Sequence, residues 1–134
     1  MLSPVGDASR SSTILIVDDD VPFCRAAAEL LADRGFRVLG YAATARDAVA
    51  ESRRLRPDGI LLDVQLPDGY GVTLVSERLT VSGSPRIVLM SSDPAAGSPE
   101  QLQRSGASGF IPKAKLVRSD LESLFNGTPP DSGT

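Results

Sequence analysis

Each of five polar residues closes a short apolar run. Asp18-Asp19 follows Ile14-Leu15-Ile16-Val17, Asp63 follows Ile60-Leu61-Leu62, Ser91 follows Ile87-Val88-Leu89-Met90, and Lys113 follows Gly109-Phe110-Ile111-Pro112. Carboxylates, hydroxyls and amines are the chemistry available. The chain has no histidine, which removes a Ser-His-Asp triad, a Cys-His nucleophile pair, a histidine metal ligand and a phosphohistidine of its own. The one cysteine, Cys24, permits neither an intrachain disulfide nor a multi-cysteine zinc site. Any metal is therefore a hard cation bound through oxygen, such as Mg²⁺ or Ca²⁺.

These residues need elements to position them. The runs are short, uniformly apolar and rich in β-branched residues, as in strands buried on both faces of a parallel sheet. Strands are expected at Thr13–Val17, Phe36–Tyr41, Ile60–Leu62, Arg86–Met90 and Gly109–Ile111. Helical spacing fills the gaps. Phe23, Ala27, Leu30 and Leu31 follow an Asp20 cap and Pro22, and end at Arg34-Gly35. Thr44 caps a second stripe of Ala45, Ala48, Val49 and Leu55, closed by the turn Arg56-Pro57-Asp58-Gly59. A loop over 65–71, shaped by Pro67, Gly69 and Gly71, leads to a third helix with Val72, Val75 and Leu79. Ser98-Pro99-Glu100-Gln101 is a capping box that opens a short fourth helix ending at Gly106. Val117, Leu121, Leu124 and Phe125 define a fifth. The loop over 93–97 and the fourth helix are expected to be the most mobile part, because Pro, Ala and Gly offer few anchoring contacts. Residues 1–12 read as a flexible tail, 13–126 as one domain, and 127–134 as a disordered tail. Strand and helix alternate five times, so the fold class is α/β, a doubly wound parallel sheet covered on both faces.

The 134 residues are 41% apolar and 23% charged, with a net charge of −3. That suits one globular domain and offers no basic footprint for nucleic acid and no polybasic membrane patch. No apolar run approaches the ~20 residues that span a bilayer. Residues 1–12 lack a signal pattern, so a cytoplasmic location is expected. Gly69-x-Gly71 lacks the rest of a dinucleotide fingerprint, and Cys24 reads as a buried, inert core residue.

In a parallel sheet the carboxyl ends of the strands share one edge, where ligands bind. Asp18, Asp19, Asp63, Ser91 and Lys113 would meet there. Three close carboxylates repel one another. A divalent cation and Lys113 would relieve this: about −3 from the aspartates meets +2 and +1. Mg²⁺ prefers few carboxylates plus water and phosphate oxygens, which leaves room for a phosphoryl group. Asp63 could accept it as an aspartyl phosphate, and a carboxylate needs no base at neutral pH. The metal and Lys113 would neutralise the equatorial oxygens, and Ser91 could donate a hydrogen bond to one of them.

With these residues in place, the chain resembles the receiver domain of two-component response regulators, the CheY-like family. The resemblance lies in Ile14 through Asp20, Leu61 through Gly69, Val88 through Ser92, and Gly106 through Lys113. It implies a (βα)5 flavodoxin-like three-layer sandwich with strand order 2-1-3-4-5, the order known for the chemotaxis receiver. It implies that Asp63 takes a phosphoryl group from a phosphohistidine on a sensor histidine kinase or histidine phosphotransfer protein. Asp19 would bind Mg²⁺ directly, Asp18 mainly through water, and Gln65 through its backbone carbonyl. Lys113 stands at the family's lysine. Ser91 and Phe110 stand at its switch positions, which remodel the face of the fourth helix, fifth strand and fifth helix for an output partner or a phosphorylation-linked homodimer. Residue 114 is Ala where many members have a cis-linked proline, Ser92 replaces the commoner Ala or Gly, and Gln65 and Asp93 occupy positions that tune phosphoryl lifetime. Pro112 through Leu116 look most like receivers that precede helix-turn-helix outputs, so the chain reads as a stand-alone receiver or an excised domain. Enzymatic action is expected only on its own phosphoryl group. Two other classes compete. A hydrolase could use Asp18-x-Asp20, but Pro22 breaks the DxDx[TV] pattern and there is no room for a cap domain. A scaffold could keep the fold and never take phosphate.

Overall fold

The computed structural model describes residues 12–74, 85–93 and 106–126. Five strands form one parallel sheet: β1 (Thr13–Val17), β2 (Arg37–Ala42), β3 (Gly59–Asp63), β4 (Arg86–Ser91) and β5 (Gly109–Pro112). Their spatial order is 2-1-3-4-5, and every neighbouring pair is parallel. This is the doubly wound architecture expected above.

Alternation along the strands divides the core into two layers. Leu15, Val17, Ile60, Leu62, Ile87 and Leu89 pack on one face with Ala48 and Val49 of helix α2 (Ala45–Leu55). Ile14, Ile16, Leu61, Val88, Met90 and Ile111 pack on the other face with Cys24, Ala27 and Leu31 of helix α1 (Val21–Asp33), and with Leu121 and Phe125 of the C-terminal helix Leu121–Asn126. Both faces are buried, so the strands read as continuous apolar runs. Each fully buried Leu or Ile side chain contributes about 1.5–3 kcal/mol.

The caps follow the sequence. Asp20 accepts from the Phe23 amide at 3.1 Å and starts α1, and Thr44 accepts from the Asp47 amide at 3.0 Å and starts α2. Arg56 leaves α2 in the left-handed region, φ 50°. At the amino-terminal edge of the sheet, Asp58 and Thr13 clasp each other, and Asp58 also accepts from the Arg86 amide. Gly59 lies under the C-terminal helix, where a Cβ would come within 2.4 Å of the Phe125 ring.

Three expectations change. Residues 65–71 are more ordered than a loop: Gln65–Leu66 pairs antiparallel with Gly69–Tyr70, with Pro67-Asp68 at the turn. Proline's fixed φ suits the first central position of such a turn. Lys113–Arg118 forms a 3₁₀ helix, in which Leu116 is buried and Val117 is exposed, so Val117 does not belong to the apolar stripe of the last helix. Its tighter period swings Val117 outward. The second strand is Arg37–Ala42, because Phe36 turns into the core and meets Phe125 edge-on with ring centroids 5.7 Å apart. Of the third expected helix, α3 (Gly71–Leu74) lies within the described residues. The rest of that helix, the loop beyond Asp93, the fourth helix and both tails except Ser12 lie outside them. No described helix is long and apolar enough to cross a membrane.

Candidate functional site

The site is built at the carboxyl edge of the sheet. Asp18 follows β1, Asp63 ends β3, Ser91 ends β4 and Lys113 follows β5. Asp18, Asp63 and Ser91 are the buried polar residues among those described, while Asp19 is exposed. One carboxylate oxygen from each of Asp18, Asp19 and Asp63 lies within 4.8 Å of the others. Lys113 Nζ stands 2.6 Å from Asp18 Oδ2 and 3.5 Å from Asp63 Oδ2. Thus four of the expected site residues come together from three separate strand ends.

Backbone donors hold the carboxylates. Asp18 Oδ1 accepts from the Asp20 amide at 2.9 Å, and Asp63 Oδ1 from the Gln65 amide at 3.2 Å. Among the described residues, Asp18 Oδ2 is buried and, apart from its ion pair with Lys113, has no partner. A buried carboxylate oxygen in that condition is costly. With two further carboxylates beside it, the all-oxygen set suits a hard divalent cation. Burial raises the Asp63 carboxyl above its ordinary value, and the charge of Asp18 adds to this. The Gln65 amide and Lys113 oppose the rise without cancelling it. Burial pulls Lys113 down, but its contacts with Asp18 and Asp63 outweigh it, so the ammonium is held above its ordinary value.

The loop after Asp63 is fixed from two sides. The Gly71 amide donates to the Val64 carbonyl at 2.6 Å, and a Cβ on Gly71 would lie 2.5 Å from the Asp63 carbonyl oxygen. Only glycine fits this return of the chain beneath Asp63. Asp68 caps α2 from outside that helix: Oδ1 accepts from the Ala45 amide at 2.6 Å and Oδ2 from the Arg46 amide at 3.1 Å. These bonds hold its carboxyl below its ordinary value, and a helix start favours negative charge. Sequence reading assigned Asp68 no role, since nothing local marks a carboxylate that caps a helix earlier in the chain.

The remaining expected residues are placed as follows. Ser91 is engaged by its own turn: its hydroxyl lies 3.1 Å from the Asp93 carbonyl, to which it donates, and the Asp93 amide lies 2.9 Å from its Oγ. Phe110 is half-buried on β5 opposite Leu89 and packs on the α2-side core. Strand alternation puts it on the same sheet face as Ser91. Gln65 sits in the short ribbon with its side chain exposed. The described peptide bonds are all trans, the one from Lys113 to Ala114 included. The Cys24 thiol is pushed up to about 11 by burial and then by Asp18 and Asp20, so it is neutral and inert.

The family profile for the response regulator receiver domain matches residues 14–124. The chain belongs to this family. This receiver domain is 38% identical over 114 residues to a protein-glutamate methylesterase/protein-glutamine glutaminase of Alkalilimnicola ehrlichii, covering 82% of this chain and 29% of the relative. It is 26% identical to the chemotaxis protein CheY of Thermotoga maritima, over 83% of this chain and 92% of that protein. A LuxR-family two-component response regulator from Aurantimonas sp. SI85-9A1 superposes with a TM-score of 0.77 at 25% identity, covering 92% of this chain and 94% of the other. The CheX-CheY-BeF3-Mg complex from Borrelia burgdorferi shares the fold, with a TM-score of 0.77 at 24% identity over 90% of this receiver and 93% of the matched chain. The receiver spans 29% and 26% of the first two curated methylesterase relatives it matches.

Proposed function

We propose that this receiver is the phosphoacceptor of a two-component or phosphorelay system, with Asp63 the residue modified. The observation that carries the reading is Lys113 Nζ bridging Asp18 Oδ2 and Asp63 Oδ2 inside a cluster of three aspartates. An oxygen of Asp63 attacks the phosphorus of a partner's phosphohistidine. The P–N bond breaks, and the departing imidazole nitrogen keeps the electron pair and takes up a proton. Lys113 offsets charge on the phosphoryl oxygens, and Asp18 holds the lysine in register with Asp63. Asp18, Asp19, Asp63 and the backbone carbonyl of Gln65 are the groups that would hold Mg²⁺, whose charge would offset that of the phosphoryl oxygens. The partner is a sensor histidine kinase or histidine phosphotransfer protein in the cytoplasm. After transfer, Ser91 leaves the Asp93 turn to donate to the phosphoryl group, and Phe110 follows on the same sheet face. The altered surface of β5 and its flanking helices then meets an output partner or a second copy. Catalysis is confined to the receiver's own aspartyl phosphate.

The test is intact mass after incubation with a small acyl-phosphate donor and Mg²⁺. Gain of one phosphoryl group by the wild type and none by Asp63→Asn is the expected result. No gain by folded wild type in Mg²⁺ would return the chain to the scaffold class.

A further inference from the structure

The Lys113 ammonium has three donors and, among the described residues, three close neighbours. Two are the oxygens of Asp18 and Asp63. The third is the ring of Phe23, whose centroid lies 4.6 Å from Nζ. An aromatic face is negative and attracts a cation at this range, more so where water is excluded. The Lys113 side chain is only 15% exposed, so solvent screens the contact little. Phe23 is itself fixed. Its amide donates to Asp20 Oδ1, it sits in the first turn of α1, and its ring packs half-buried on the α1-side core. Packing alone would be met by leucine at this point in the helical stripe. Leucine has no charged face to offer a long, rotamer-rich lysine.

We propose that Phe23 is a positioning residue, whose ring face holds the Lys113 ammonium between Asp18 and Asp63. This rests on the phosphoacceptor reading and adds to it the group that sets the lysine's pose. Asp20 caps the helix that presents Phe23, so the pose of Lys113 is determined from the segment directly after the aspartate pair.

The experiment replaces Phe23 in the full chain by mono-, di- and trifluorinated phenylalanine, which keep the ring's shape while draining its face of negative potential. The rate of phosphorylation by a small acyl-phosphate donor in Mg²⁺ is expected to fall stepwise, by roughly two- to fivefold across the series. Phe23→Trp is expected to keep the rate and Phe23→Leu to lose it. In the metal-free protein the ε-protons of Lys113 are expected to carry a ring-current shift that Phe23→Leu abolishes. A flat fluorinated series in a phosphorylatable wild type, or ε-proton shifts unaltered by Phe23→Leu, would overturn the role of Phe23 and leave the phosphoacceptor reading standing. A folded wild type that takes no phosphoryl group would overturn both.

Discussion

Asp58 and Asp63 flank β3 at opposite ends, and their surroundings differ in kind. Asp58 Oδ2 accepts from the Thr13 amide at 2.9 Å and the Thr13 hydroxyl at 3.0 Å, and the Asp58 amide donates back to that hydroxyl at 2.9 Å. Its carbonyl accepts from Arg86. Asp58 thus stitches β1, β3 and β4 together with donors of its own, and it is exposed to water besides. Asp63 is buried beside Asp18, with one amide donor and a lysine shared with that neighbour. A carboxylate with its own donors and access to water is structural. Buried carboxylates that share one cation have electrostatic demand left over, which a ligand can meet.

The contrast breaks most sharply at Asp63. Asp63→Asn is expected to abolish phosphoryl uptake and yet to stabilise the metal-free protein against urea, because it removes a buried charge facing Asp18. A destabilised variant would mean that Lys113 more than compensates both carboxylates. Next is Gly71→Ala. Its Cβ would press on the Asp63 carbonyl, so it is expected to slow phosphorylation and to cost about 1–3 kcal/mol of overpacking, read from kinetics and denaturation of one preparation. At the other end, Asp58→Ala is expected to cost about 1 kcal/mol in lost hydrogen bonds while the phosphorylation rate stays at the wild-type value.

The smallest effect is at Asp68, whose depressed carboxyl contributes stability above the ordinary carboxylate range. That contribution is lost as pH falls through its folded value. Asp68→Asn is therefore expected to be less stable than the wild type at neutral pH and equal to it in strong acid, as urea midpoints across that range would show.

Much of this was legible in the chain. Runs such as Ile14–Val17 and Ile87–Met90 are apolar at every position because both sheet faces are covered, and the residue closing each run marks the carboxyl edge of the sheet. The caps at Asp20 and Thr44 are local and were readable for that reason. The strand order came from family resemblance, since alternation shows that a sheet is parallel but not which strands are neighbours. Contacts between distant segments were hidden: Phe23 reads as one more apolar residue of a helical stripe, yet its ring lies against a lysine far along the chain. The clasp of Thr13 on Asp58, read only as part of a turn, is of the same sort. The exposed Val117 has a different, local cause: a 3₁₀ helix takes the place of an α-helical turn.

The most direct measurement locates the phosphoryl group. Borohydride reduction of the phosphorylated protein converts an aspartyl phosphate to homoserine, and peptide mass spectrometry then reads the position. The expected result is homoserine at residue 63 alone, formed in Mg²⁺ and absent when the cation is chelated. Homoserine at Asp18, Asp19 or Asp58, or equal conversion without the cation, would contradict the assignment of the buried, cation-dependent edge as the working one.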